Sequence, residues 1–165
     1  MSGSGIERID RAEAAARLPE FPELLEMAEL AASRAYAPYS GFRVGAAVLA
    51  GSGRSYPGAN VESASYGATI CAERGAVAAA VAAGETQIRA CVVITPTPEP
   101  SSPCGICRQL LAEFGPDVAV FAVGQGDGVM AARIGDLLPA SFGATDLRAS
   151  TAGGGASGGA GEGGR

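Results

Sequence analysis

Apolar residues recur along this chain with two alternating periods, and together they predict a layered α/β domain. In residues 22–36, PELLEMAELAASRAY, the residues Leu24, Leu25, Ala28, Ala31, Ala32 and Ala35 fall on one helical stripe, with acidic residues early, where the helix dipole favours them. Pro38 stops that helix. Residues 42–50 read as a buried strand, Gly51-Ser52-Gly53 as a turn, and residues 55–62 as the second strand of a hairpin. The alanine-dense run 70–84, closed by Gly84, predicts a helix that begins close to Cys71. A β-branched strand at 88–95, a loop at 96–103 and a helix over 104–114 ended by Gly115-Pro116 come next. Strands at 118–123 and 129–134 and a short helix near 136–138 complete the pattern. Helices interleaved with strands imply layers around one core.

The length of 165 residues and a hydrophobic content of 47% fit one domain with a substantial core. We expect an N-terminal extension over 1–20, loosely held and partly helical, then a catalytic domain over 21–149. The tail 150–165 is half glycine without apolar periodicity, so ordering it costs entropy with nothing to bury, and disorder is predicted. The net charge of −5 argues against a nucleic-acid partner, which would need concentrated Lys and Arg. No apolar run is long enough to span a bilayer, and the polar start lacks the apolar core of a secretion signal; the expectation is a soluble cytoplasmic protein without a membrane partner.

The chain has no histidine, so metal chemistry here must rest on cysteine and carboxylate. Its four cysteines, in a chain unlike a small secreted scaffold, are expected to be reduced. Three of them form a pattern: Cys71-Ala72-Glu73-Arg74, then Pro103-Cys104-Gly105-Ile106-Cys107-Arg108-Gln109. Cys104 and Cys107, three apart at a predicted helix start, share one face and can converge on one ion, with Cys71 as a third ligand. Three protein ligands leave the fourth tetrahedral position of a zinc ion open, as catalytic sites do. Glu73 lies in the first turn with Cys71, so both can border a cavity beyond the helix end. Arg74 is placed to donate hydrogen bonds to thiolate sulfur. A lone C-x-x-C is a weak signal that also fits a redox motif, a structural zinc site or plain core; the third ligand and the acid speak for catalysis. Cys91, inside an apolar strand, reads as a small buried hydrophobe.

The pair of motifs matches zinc deaminases with an all-Cys ligand set and a non-ligating Glu. Over residues 35–147 the chain resembles the small homotetrameric cytidine deaminases, through Tyr36-Ala37-Pro38-Tyr39-Ser40, Phe42-Arg43-Val44-Gly45-Ala46, Asn60-Val61-Glu62, the two cysteine motifs and Leu137-Leu138-Pro139. The resemblance implies an α/β, three-layer cytidine-deaminase-like fold with a mixed five-stranded sheet flanked by helices, a Zn²⁺ cofactor and a homotetramer. It implies hydrolytic deamination of cytidine and deoxycytidine in pyrimidine salvage, with Glu73 accepting a proton from the attacking water, protonating N3 and later helping the exocyclic amine leave as ammonia. Asn60 and Glu62, two apart in an extended segment, face one side and are the resembled family's grip on the ribose 3′-hydroxyl. Phe42 matches a position lining the nucleoside pocket. Phe142 matches the aromatic lent to the base by a neighbouring subunit, and Ala64 and Tyr66 match a segment that approaches the sugar's 5′ end from another subunit. Ser63 departs from the family's usual Asn.

Two competitors share parts of this pattern. A blasticidin-type aminonucleoside deaminase carries the same all-Cys motifs, but the N-x-E pair and Phe142 favour the cytidine reading. A non-catalytic zinc-binding domain accounts for the cysteines and leaves Glu73 unexplained.

Overall fold

The computed structural model describes residues 5–147 except Thr145. Residues 1–4 and the glycine-rich segment 150–165 lie outside the described residues. In chain order the elements are β1 (Glu7–Asp10), α1 (Arg11–Arg17), α2 (Phe21–Ser33), β2 (Gly45–Ala50), β3 (Ser55–Ala59), a 3-10 turn (Tyr66–Ala68), α3 (Ala72–Ala82), β4 (Ile88–Ile94), α4 (Gly105–Ala112), β5 (Ala119–Val123), β6 (Gly128–Arg133) and α5 (Ile134–Leu137).

The strands form one mixed sheet in the order β1-β6-β5-β4-β2-β3. β4 and β5 run parallel, joined through α4, and every other neighbour is antiparallel. Side chains alternate across the sheet, as the two-residue period of a strand requires. Val48, Cys91, Val93, Val120 and Ala122 face the layer of α3, α4 and α5. Leu49, Val92, Phe121 and Val123 face α1 and α2. With both faces covered, β2 has no polar side: all six of its residues, GAAVLA, are buried.

The sheet has six strands rather than the five expected, and the sixth comes from the N-terminal stretch expected to be loosely held. β1 pairs along the outer edge of β6, Glu7 opposite Ala131 and Asp10 opposite Gly128. Ile9, Ala14 and Leu18 join the core beneath α2, and Asp10 caps α1 by accepting from the Glu13 N–H at 2.8 Å. Covering an open edge in this way removes a row of unpaired backbone groups.

Two glycines set how closely the helices ride on the sheet. A Cβ on Gly58 of β3 would stand 2.2 Å from the Ala76 nitrogen and 2.3 Å from the Ala72 carbonyl oxygen. One on Gly45 of β2 would stand 1.9 Å from the Ala28 carbonyl of α2. Only hydrogen fits at either crossing, so α3 lies directly against β3 and its first turn is held at the end of the sheet. At the other end of α3 the buried Glu85 carboxylate accepts from Ser52 Oγ (2.7 Å), Arg54 Nε (2.9 Å) and Tyr56 Oη (2.9 Å), fastening the hairpin to the helix. The expected strand over 55–62 is shorter, because past Ala59 the chain makes only single bridges, Val61 with Tyr36 and with Ile70.

Candidate active site

Both cysteine motifs begin helices. Cys71 is the N-cap of α3 and Cys104 the N-cap of α4, each with extended backbone (φ −73°, ψ 156° and φ −67°, ψ 166°) and neither side chain engaged in capping its helix. A thiol at an N-cap projects beyond the helix, toward the positive end of the dipole, where negative charge is favoured. Cys107 sits in the first turn of α4 and is fully buried. The Cys71 and Cys104 sulfurs are 3.7 Å apart and those of Cys104 and Cys107 3.5 Å, with all three within 4.8 Å of one another. Thiolates bound to a tetrahedral zinc at Zn–S of about 2.3 Å stand about 3.8 Å apart, so the three sulfurs are spaced for that ion.

The same convergence perturbs the thiols. Hydrogen bonding with Cys107, and less strongly with Cys104, draws the Cys71 thiol down to about 6 against the opposing effect of burial. Cys107 is pushed up by the same bond to Cys71 and then by its burial. Cys91 lies fully buried in β4, away from the cluster, where desolvation raises its thiol and keeps it inert.

Glu73, in the first turn of α3, is only 5% exposed. Burial raises its carboxyl above the ordinary range, offset in part by its own backbone N–H and by Cys107. It stands on the wall of a cavity of about 260 Å³ that also exposes Cys71 and Cys104. Phe42, Val44, Ile70 and Val93 give this cavity apolar walls; Asn60, Thr69, Thr95, Ser101 and Ser102 give it hydrogen-bonding groups. Three thiols spaced for a metal ion, a buried carboxylate and a partly polar cavity of this size can hold a small ring and move protons on it.

Residues 20–123 match the family model described as the cytidine and deoxycytidylate deaminase zinc-binding region. The chain belongs to that family. It is 45% identical over 115 residues to a cytidine deaminase of Halalkalibacterium halodurans, covering 68% of this chain and 86% of the relative. It is 42% identical over 116 residues to one of Mycobacterium tuberculosis, covering 70% and 84%. Among solved structures, a cytidine deaminase of Burkholderia pseudomallei is similar with a TM-score of 0.70 and 46% identity, covering 73% of this chain and 98% of that one. The span matching this deaminase family contains the three cysteines, Glu73 and the Asn60/Glu62 pair, whereas Phe142 lies beyond it.

Asn60 and Glu62 both reach the segment 39–44. Asn60 is buried on the cavity wall, where its amide nitrogen donates to the Phe42 carbonyl (2.8 Å) and its oxygen accepts from the Val44 N–H (2.8 Å). Glu62 accepts from the Tyr39 N–H (2.8 Å), the Ser40 N–H (3.2 Å) and the Ser40 hydroxyl, and these bonds hold its carboxyl below the usual range. It belongs to an adjoining hollow with Tyr39, Ser63 and Tyr66, separated from the cavity by the shared Thr69. Ser63 steadies this loop by accepting from the Ser65 N–H at 3.1 Å. Ala64 is exposed, and Tyr66 is 77% exposed. Phe142 is 61% exposed and outside its own chain's cavity, its carbonyl held by Gln109 Nε2 of α4 at 2.9 Å.

Arg74 departs from expectation. Its guanidinium donates to the Thr69 carbonyl at 3.3 Å rather than to sulfur, and reaches Cys71 as a charge that favours the thiolate. The sequence reading missed Arg108, which ties the second motif together by donating to the Pro103 carbonyl (2.8 Å), Ser102 Oγ (2.8 Å) and the Leu137 carbonyl of α5 (3.1 Å). It also missed Thr69, Thr95, Ser101 and Ser102. Their one signal was position: hydroxyl residues at the end of a strand and immediately before a ligand motif.

Proposed function

We infer that this chain is an enzyme that deaminates cytidine hydrolytically to uridine and ammonia with zinc. The observation that carries this reading is the convergence of three thiols, two of them on a cavity wall shared with a buried carboxylate. Cys71, Cys104 and Cys107 would hold the zinc, which when bound would supply Lewis-acid activation of water near neutral pH. Glu73 takes one proton of the attacking water and delivers it to N3 of the base, then takes the second from the hydroxyl now on C4 and passes it to the amine, which leaves as ammonia while the C4 carbonyl forms. A carboxyl whose affinity for protons is raised by burial suits a group that must both accept and return one. Arg74 favours ionised Cys71 through its charge. The apolar walls from Phe42 and Val93 exclude bulk water around the ring. Purified protein with its zinc content measured, incubated with cytidine, should release uridine and ammonia in equal amounts; a zinc-loaded protein that leaves cytidine unchanged would refute the reading.

The sugar is held through its 3′-hydroxyl by Asn60 and Glu62, with Tyr39 and Ser40 releasing part of the Glu62 carboxylate on binding. A grip on that hydroxyl does not distinguish ribose from deoxyribose, so deoxycytidine is a second substrate and pyrimidine salvage the role. No helix among the described residues is long and apolar enough to cross a membrane, and the acidic balance disfavours nucleic acid; the place of action is the cytoplasm.

The working unit is a homotetramer in which Phe142 completes a neighbour's base pocket and Ala64 and Tyr66 approach its sugar. Support comes from the exposure of Phe142, Tyr66 and Ile106, large side chains that the described residues of their own chain leave largely uncovered. Phe142→Ala should raise the KM for cytidine with zinc content unchanged. Mixed with the inactive Glu73→Gln protein under conditions where native mass spectrometry shows subunit exchange, it should regain activity, because each chain supplies what the other lacks. Exchanged hybrids no more active than the separate variants would place Phe142 in the service of its own subunit.

A further inference from the structure

Behind Thr95 and Ser101, on the cavity wall, lies a hydroxyl cluster whose partners set the direction of its protons. Thr97 Oγ1 stands 2.6 Å from the Glu99 carbonyl oxygen, 2.7 Å from Thr95 Oγ1 and 3.1 Å from Ser101 Oγ. A hydroxyl has one proton and two lone pairs, and a carbonyl only accepts, so the Thr97 proton goes to Glu99. The other two contacts are then donations to Thr97, one to each lone pair. Thr95 has another acceptor within reach, the Val123 carbonyl, but at 3.4 Å; a 2.7 Å approach of two oxygens with no proton between them would be repulsive, so its proton lies toward Thr97. Thr97 is not on the cavity surface, whereas Thr95 and Ser101 are. With both protons drawn back into the wall, these two hydroxyls can offer a ligand acceptance only.

We propose that Thr95 and Ser101, polarised by Thr97, form an acceptor subsite that takes the N–H groups of an aminopyrimidine and disfavours the carbonyl that replaces them. The proposal rests on the deaminase reading and deepens it. Deamination at C4 turns a hydrogen-bond donor into an acceptor. The wall that accepts from substrate therefore meets product with lone pair against lone pair. Its location fits this task, because the segment leads from Ser101 directly through Ser102 and Pro103 to Cys104, and Ser101, Ser102 and Cys104 line the same cavity as Glu73. Thr97 is a positioning residue, acting through the two hydroxyls that touch the ring substituent.

Thr97→Val tests this, since valine keeps the shape but removes the proton and both lone pairs: Ser101 is then free to turn its proton into the cavity, and only the Val123 carbonyl at 3.4 Å is left to draw the Thr95 proton back. In the zinc-loaded enzyme, KM for cytidine should rise about three- to tenfold, the size of one ordinary hydrogen bond, and the inhibition constant of uridine should fall by a comparable factor, while kcat changes less. Thr97→Ser should restore both values. Movement in opposite directions is the signature, because a wall merely loosened would weaken substrate and product together. Both constants rising, or neither moving by more than about twofold, overturns the proposal and leaves the deaminase reading intact. Zinc-loaded parent that releases no uridine from cytidine overturns that reading, and the proposal with it. Should Thr97→Val fail to fold, Ser101→Ala removes one acceptor outright and must shift the two constants in the same opposed directions; if it does not, the subsite is refuted.

Discussion

Glu73→Gln is expected to keep its zinc and its melting temperature and to lose about 10³-fold in kcat, the contribution typical of a positioned acid-base group. The amide is nearly isosteric with the carboxyl, so the packing of a side chain only 5% exposed is preserved. What it lacks is the capacity to accept a proton from water and give it back to the base. The structure also makes the change mild for the fold. Glu73 has no ion-pair partner among the described residues, and its carboxyl is already pushed toward the neutral form by burial, so a neutral amide meets no lone buried cation. Substrate affinity should change little, which places the loss in kcat rather than KM. A variant turning over cytidine at near-parental rate would assign the proton transfers to another group. Apart from the cysteines, the other polar groups on the wall are the Asn60 amide and Thr and Ser hydroxyls, which are poor bases at neutral pH.

The parts legible in the sequence share one property: they depend on local spacing. Alanine density and Gly84 located α3, β-branched runs located β4 and β5, and the two cysteine motifs located the helix starts that bring three sulfurs together. The strand β1 was not legible, because ERID presents a single inward apolar residue, Ile9, and pairs only because the edge of β6 happens to be open to it. The Arg74 bond was misassigned for a related reason. Spacing put the guanidinium near sulfur, but the turn at 66–70 brings the Thr69 carbonyl within 3.3 Å and takes the donor first. Asn60 and Glu62 do share a side, as two-residue spacing in extended chain requires, yet the interruption of β3 after Ala59 distributes them between two adjoining hollows. The direction of a hydroxyl proton, as at Thr97, has no counterpart in spacing at all.

Removing one sulfur tests the ligand set most directly, and Cys107→Ala is the variant of choice because its effect on packing is small. Cys107 is fully buried at the start of α4, so alanine leaves a void of one sulfur atom, a cost of about 1 kcal/mol and compatible with a folded chain. Two thiolates bind zinc far more weakly than three, so metal and activity should disappear together. The consequence reaches beyond catalysis, since Cys71 stands at the N-cap position of α3 and Cys104 at that of α4, and one ion bound by both motifs would tie together two helix starts to which Arg74 and Arg108 already contribute local bonds. Zinc that binds only the folded chain stabilises it by about 4 kcal/mol at a thousandfold excess over Kd. For a chain of this size that is roughly 8–16 °C in Tm. Chelation should therefore lower the Tm of the parent by an amount of this order and leave that of Cys107→Ala unmoved, the two metal-free proteins melting within a few degrees of each other. Full zinc occupancy in the variant, or a parent whose melting ignores chelation, would show that the ion is held elsewhere and that the three converging sulfurs of Cys71, Cys104 and Cys107 are not its cage.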